Sequence, residues 1–238
     1  MRSTRPPAIS ITGLRTVKLL AGLSDDALAS VAQRMTWRQF KPGQCVVSRD
    51  ARDTDVYFVV SGLLRATAVS QAGRQLIYRD LHPGEWFGDL AAIDGRLRSV
   101  DVITVSVALL ASMRADDFLA LIAENPSVAE GQIRHLVEWV RALTERLYDL
   151  STLDVQQRVH AELLRLAKAV GVVDNVARIT PLPTHAEMAS VLSTYREQVT
   201  REVSRLAKLG VVERQGDALI VRNVADLERI VSDRIAAD

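Results

Sequence analysis

Gly84, Gly88, Asp89, Arg98 and Ser99 fall within one short stretch of the chain. Glycine tolerates positive φ, so backbone amides can converge in tight turns at Gly84 and Gly88. Converging amides, a guanidinium fork and a hydroxyl together make a cradle for a phosphate group. A carboxylate such as Asp89 is repelled by that phosphate, but it can accept a bond from a neighbouring sugar hydroxyl. A small nucleotide offers both groups. The same residues also fit a β-turn loop with a surface Asp–Arg pair, because short glycine motifs recur by chance.

The elements that must hold this stretch follow from the rest of the sequence. The chain has 238 residues, 48% of them hydrophobic, enough for one or two domains with full cores. Thirty Lys and Arg against 29 Asp and Glu give a formal net charge of +1, so no broad basic field announces nucleic acid. The single Cys45 excludes an internal disulfide and multi-cysteine zinc or iron–sulfur sites; a half-buried strand position is expected for it. No apolar run reaches the roughly 18 residues of a membrane span. The basic start, Met1-Arg2-Ser3-Thr4-Arg5-Pro6-Pro7, lacks a signal core, so residues 1–18 read as a disordered leader of a cytoplasmic protein.

Ser24 is a natural N-cap for a helix carrying Ala27, Leu28, Val31 and Ala32. From Thr36 the pattern changes to short β-branched runs: 45–47, 56–60, 63–70, 74–81, 100–106 and 107–114, with Gln71-Ala72-Gly73 as a hairpin turn. Such spacing predicts a small antiparallel barrel or jelly roll. A helix over 116–124 stops at Asn125-Pro126. A heptad then runs from Ile133. Ile133, Val140 and Leu147 take one seam position, and Leu136, Leu143 and Leu150 the other. β-Branched residues at a and leucine at d favour a parallel two-stranded coiled coil, hence a homodimer. Asp154 caps a helix over 155–170, ended by Gly171.

Thr184-His185-Ala186-Glu187 and Thr194-Tyr195-Arg196-Glu197 read as two capping boxes that open consecutive helices. Helices joined by so short a turn make a helix-turn-helix. Met188, Val191, Val199, Val203 and Leu206 form its inner face. Glu197, Thr200, Arg201 and Ser204 share the outer one, with Arg196 at the N-terminal end. Gly216-Asp217 turns a hairpin behind it, which completes a winged helix. Residues 154–238 carry twelve basic and twelve acidic side chains, so bulk charge says nothing about DNA. The local distribution does: Arg196, Arg201, Arg205 and Lys208 crowd one helix against Glu197 and Glu202. Arginine and glutamate are side chains that read guanine and cytosine edges. The candidate DNA contacts are Thr184, Tyr195, Arg196, Glu197, Thr200, Arg201, Lys208 and Arg214.

Gly88-Asp89-Leu90 followed by Arg98-Ser99-Val100 resembles the phosphate-binding cassette of cyclic-nucleotide-binding domains, Gly-Glu-Leu, a short helix, then Arg-Ser/Thr-Ala. Asp89 stands where that family has Glu, and Val100 where it has Ala. Leu153-Asp154-Val155 with Arg158 resembles the family's interdomain hinge. Arg196, Glu197 and Arg201 match the Arg-Glu-x-x-x-Arg motif of the catabolite activator (CRP/FNR) family. The resemblance implies an α+β fold: a cyclic-nucleotide-binding β jelly roll over 19–125, a dimerisation helix and hinge over 126–153, and a winged helix-turn-helix over 154–238. It implies a homodimeric transcription regulator, not an enzyme, with cAMP or cGMP as allosteric ligand and no metal. Its partners would be double-stranded DNA with a palindromic TGTGA-like operator, and RNA polymerase, but no membrane. The implied nucleotide contacts are Gly88, Asp89, Leu90, Arg98, Ser99, Leu143 and Thr144, the last two aligned with the family's base-touching Thr-Ser pair. Two alternatives stand beside this reading. One is a family regulator with a different effector or none, such as haem held through a histidine like His82. The other is a cyclic-nucleotide module that serves a protein partner. His82, His135, His160 and His185 show no metal-ligand spacing and are expected at the surface or an interface.

Overall fold

The computed structural model describes residues 11–235 apart from 72 and 74, so Ala72 and Arg74 of the expected hairpin turn lie outside the described residues. The chain divides between Val140 and Arg141 into two compact units. The first opens with α1 (Ile11–Arg15), a short 3-10 helix (Lys18–Leu20) and α2 (Asp25–Gln33). The leader expected over residues 1–18 is therefore structured from Ile11 onward, while residues 1–10 lie outside the described residues. The reason is apolar spacing: Leu14 and Val17, three apart, are completely buried. The Ser24 hydroxyl caps α2, accepting from the Ala27 amide at 3.3 Å.

Eight strands follow: β1 (Thr36–Phe40), β2 (Cys45–Val47), β3 (Val56–Ser61), β4 (Leu64–Val69), β5 (Gln75–Leu81), β6 (Trp86–Phe87), and, after α3 (Asp89–Asp94), β7 (Asp101–Thr104) and β8 (Ala108–Met113). They pair antiparallel in two four-stranded sheets, ordered β1-β8-β3-β6 and β2-β7-β4-β5. Period-two alternation sorts the core. On β3, Val56 and Phe58 join one apolar cluster with α2 and α4 (Ala115–Glu124), while Val59 joins Phe40, Leu64, Leu81, Phe87 and Leu110 in another. Sequence reading misses β1 and β6. On β1 only Trp37 and Phe40 are buried, so this edge strand lacks alternation, and β6 has only two residues. Cys45 lies on β2 as expected but is exposed. Partial desolvation of the sulfur, and secondarily the nearby Asp101 charge, raises its thiol pKa although the residue as a whole is exposed.

The long helix α5 (Pro126–Thr152) starts at a proline, whose missing N–H is no loss in a first turn. Ile133, Val140 and Leu147 on it are each more than 60% exposed, so the expected seam is uncovered in the single chain. The second unit holds α6 (Val155–Val170), β9 (Ala177–Ile179), α7 (His185–Val191), α8 (Arg196–Lys208), β10 (Val212–Gln215), β11 (Ala218–Val221) and α9 (Val224–Ile235). Asp154 and Thr184 each close a full capping box, with Gln157 and Glu187. The box expected at Thr194 does not form. Tyr195 is the N-cap and makes no side-chain cap bond. Thr194 is buried, and its hydroxyl bonds the Gln198 side chain instead. β9 adds a third strand to the expected hairpin. Val159, Leu163, Ile179, Val199, Leu206 and Leu227 fill the core of this unit.

Candidate functional site

The turn into α3 is built on Gly88, with φ of 89°. A Cβ there would lie 2.6 Å from Arg98 Nη1 and from the Asp55 carbonyl oxygen, so only glycine fits. Arg98 is 4% exposed. Its Nε donates to Asp53 at 3.2 Å and its Nη2 to the same carboxylate. Nη1 donates to the Gly88 carbonyl at 3.0 Å and Nη2 to the Asp55 carbonyl at 2.7 Å. Four of its roughly five N–H groups are thus engaged within the protein. The sequence shows the arginine but not Asp53, a resident anion already on it.

Asp89 is 6% exposed. Its Oδ2 accepts from Gln132 Nε2 at 2.6 Å, and Gln132 Oε1 accepts from the Trp86 indole at 2.9 Å. Asp89 Oδ1 has no hydrogen-bond partner among the described residues. A cavity of about 260 Å³ opens here, walled by Gly88, Asp89, Leu90, Arg98 and Ser99 over Val47, Leu81 and Val102. Five of the sequence-predicted nucleotide contacts therefore share one cavity. Leu143 and Thr144 lie beyond Val140 in the second unit and are exposed there.

Two further wall residues escape the sequence reading, Arg79 on β5 and Trp139 on α5. The guanidinium of Arg79 lies 4.5 Å from the centroid of the Trp139 ring. Trp139 packs on His135 at 6.0 Å, and His135 on Trp86 at 4.3 Å. Burial lowers the pKa of Arg79, with Glu85 and Asp89 pulling the other way. Burial also lowers that of His135, against the Asp89 charge. A signal was present. Arg79 stands two residues before Leu81 in a strand, hence on the same face. Gln132 and Trp139 are one heptad apart and off the seam, so they face a different neighbour from Ile133 and Val140.

In the second unit, Arg196, Glu197, Thr200, Arg201, Ser204 and Lys208 are all exposed on α8. Tyr195, 64% exposed, stands at its start, and Thr184 and Arg214 are exposed on neighbouring elements. Thr200 is partly committed: its hydroxyl donates to the Arg196 carbonyl at 2.9 Å and meets His185 Nδ1 at 2.8 Å. Burial, and then the charges of Arg214 and Arg196, lower the His185 pKa. Against the expectation for the histidines, His160 is fully buried. It pairs with Glu202 of α8, which also accepts from Gln156 at 2.8 Å and from Arg205. That carboxylate supplies the partner that lets an imidazole sit in a core. His82 is exposed. Among the described residues no group of three His, Cys, Asp or Glu side chains is placed to hold a metal ion, and no helix is long and apolar enough to cross a membrane.

Residues 37–125 match the cyclic nucleotide-binding domain family, and residues 157–230 the Crp-like helix-turn-helix domain family. The chain is 30% identical over 206 residues to the cyclic AMP receptor protein of Thermus thermophilus, covering 86% of this chain and 91% of that protein. It is 26% identical over 213 residues to a CRP-like cAMP-activated global transcriptional regulator of Mycobacterium tuberculosis, covering 89% and 94%. Its fold is similar to that of a CooA mutant from Carboxydothermus hydrogenoformans, with a TM-score of 0.77 and 16% identity over 95% and 98% of the two chains. The sequence relatives are transcription regulators and not enzymes. A nucleotide-type cassette at the head of α3, a winged helix-turn-helix later in the chain than α5 and these relatives lead to one conclusion: the chain belongs to the CRP/FNR family of transcription regulators.

Proposed function

We propose that the chain is a homodimeric regulator whose affinity for a palindromic, TGTGA-like operator is set by a cyclic nucleotide, cAMP or cGMP. The observation that carries this reading is the cavity itself, which gathers Gly88, Asp89, Leu90, Arg98 and Ser99. The cyclic phosphate meets Arg98, Ser99 and the first amides of α3, which have no intrahelical acceptor. Asp89 Oδ1 accepts from the ribose 2′-hydroxyl, and Leu143 and Thr144 face the base. Dimerisation buries the exposed stripe of Ile133, Val140, Leu143 and Leu147. The two α8 helices then enter successive major grooves. Arg196 and Arg201 face guanines there, and Glu197 a cytosine amino group. Thr184, Tyr195, Thr200, Lys208 and Arg214 flank them, with Lys208 and Arg214 on phosphates. RNA polymerase is the further partner. A nucleotide can act as a switch only if it binds the DNA-competent arrangement more tightly.

The test is calorimetry with both nucleotides, followed by mobility shifts on a TGTGA palindrome with and without each. Equal DNA affinity in all conditions would remove the switch. Glu197→Ala should relax one base pair of the site by about 1–3 kcal/mol. Lys208→Ala should instead weaken all sites alike and lower the salt slope by about 1. Identical behaviour of the two variants would refute the division into reading and positioning residues.

A further inference from the structure

We propose that Arg79, supported by Trp139, reads the base of the bound nucleotide and selects guanine, so that cGMP is the preferred ligand. The proposal rests on the reading of the cavity as a cyclic-nucleotide site. Phosphate and ribose are common to cAMP and cGMP, so only a residue that meets the base can separate them, and Arg79 is the one that the cavity wall supplies. Three arginines line the cavity, Arg79, Arg96 and Arg98. Arg98 is occupied by Asp53 and two carbonyls. The side chain of Arg96 is 86% exposed and faces water.

Arg79 is different. It is about one-fifth exposed, yet its bonds are poor. Nη1 stands 3.5 Å from Glu85 and Nη2 3.4 Å from the Trp86 carbonyl, both at the limit of a hydrogen bond. Nε is enclosed and without any partner. A guanidinium that has lost much of its water without gaining good acceptors improves its position by turning onto an acceptor from a ligand. Little holds it back, because no short bond must break first.

The shape of that acceptor follows from the donor. A guanidinium presents parallel N–H groups, and guanine presents O6 and N7 side by side as two acceptors. Adenine places an amino donor beside N7, so the same fork would meet a donor with a donor. The indole of Trp139 lies against Arg79, its ring centroid 4.5 Å from the guanidinium carbon, and supports the cation from that side while the fork turns. Trp139 is itself braced through His135 onto Trp86, which Gln132 holds by its indole N–H.

The experiment is calorimetry of the full chain with cGMP and cAMP, on the wild type, Arg79→Gln and Arg79→Lys. The wild type should bind cGMP at least about tenfold more tightly, within the discrimination of one bidentate guanidinium–guanine pair. Arg79→Gln should move the preference toward cAMP, since glutamine matches the N6/N7 edge of adenine. Arg79→Lys keeps the charge but loses the fork, and should bring the ratio close to one; it decides the matter if the glutamine variant does not fold. A wild type that binds cAMP as tightly as cGMP overturns the proposal, as do variants that weaken both nucleotides equally. Binding of neither nucleotide by the folded wild type would overturn the nucleotide reading itself, and the base assignment with it.

Discussion

Gln132→Met isolates the network behind the cavity. Methionine is close in volume and apolar, so packing is nearly kept while a donor and an acceptor are lost. The Trp86 indole loses its 2.9 Å bond, and Asp89 Oδ2 its 2.6 Å bond. Orphaning a buried neutral donor costs about 1–3 kcal/mol, and a buried carboxylate more. Asp89 lines an open cavity and can recover a water there, whereas Trp86, 4% exposed, is sealed in. We therefore expect a loss of about 3 kcal/mol for the first unit. The assay is urea unfolding followed by tryptophan fluorescence. Trp37, Trp86 and Trp139 are the three tryptophans, all before Val140, so the signal reports this unit alone. Repeating the substitution in an Asp89→Ala background removes the carboxylate's share, and the cycle should show a coupling of about 1–2 kcal/mol. A loss below about 1 kcal/mol, or additivity within about 0.5 kcal/mol, would show that the bonds contribute little and that the burial argument is wrong.

Gly88→Ala combines positive φ with a methyl group 2.6 Å from two polar atoms, and should lower the same transition by at least about 2 kcal/mol; an unchanged midpoint would sink the steric account. Val140→Glu should turn a dimer at micromolar concentration into a monomer with an unchanged fold, read by sedimentation, because a charge would be buried against its own copy. A monomeric wild type would refute the seam. Burial disfavours ionised Glu202, but bonds from Arg205, His160 and Gln156 outweigh it and hold the carboxyl below its ordinary 4.5. A folded pKa below the unfolded one gives stability that is complete above the unfolded value and lost as pH falls through the folded one. Circular dichroism melts from neutral pH down to about pH 3 should therefore show acid destabilisation of the second unit that sets in below the ordinary carboxyl value, flattened in Glu202→Gln; identical acid limbs in the two proteins would contradict this.

The fold was legible wherever local chemistry decides it. Ser24, Asp154 and Thr184 cap helices as their types demand, and β3 alternates as its β-branched run predicts. Thr194 misled because a capping hydroxyl and a buried hydroxyl look alike in sequence; Gln198, one turn on, competed for it. β1 stayed hidden because an edge strand needs little alternation. Of the candidate site, the cassette was readable because its residues are neighbours in the chain. Asp53, Gln132 and Trp139 were not, because they reach the cassette from a loop and a helix remote in sequence, and Arg79, though near Gly88 in the chain, stands on a separate strand. Local spacing says which of these side chains share a face, but which neighbour that face meets is a property of topology.

The Asp53–Arg98 pair has a consequence for which anions the cavity admits. Under the proposed reading, loading is an exchange, in which the incoming phosphate displaces a carboxylate that swings out toward water. Asp53, 45% exposed on its side chain, is free to make that move. Because Asp53 is tethered, it competes at an effective concentration on the order of millimolar or above. Inorganic phosphate or sulfate has only the Arg98 contact to win from Asp53, and as a dianion it gives up a larger hydration shell to do so. A nucleotide brings a ribose for Asp89 and a base besides, and those contacts tip the balance. On that reading the internal carboxylate would act as a sieve, disfavouring bare oxyanions against an anion with the rest of the molecule attached.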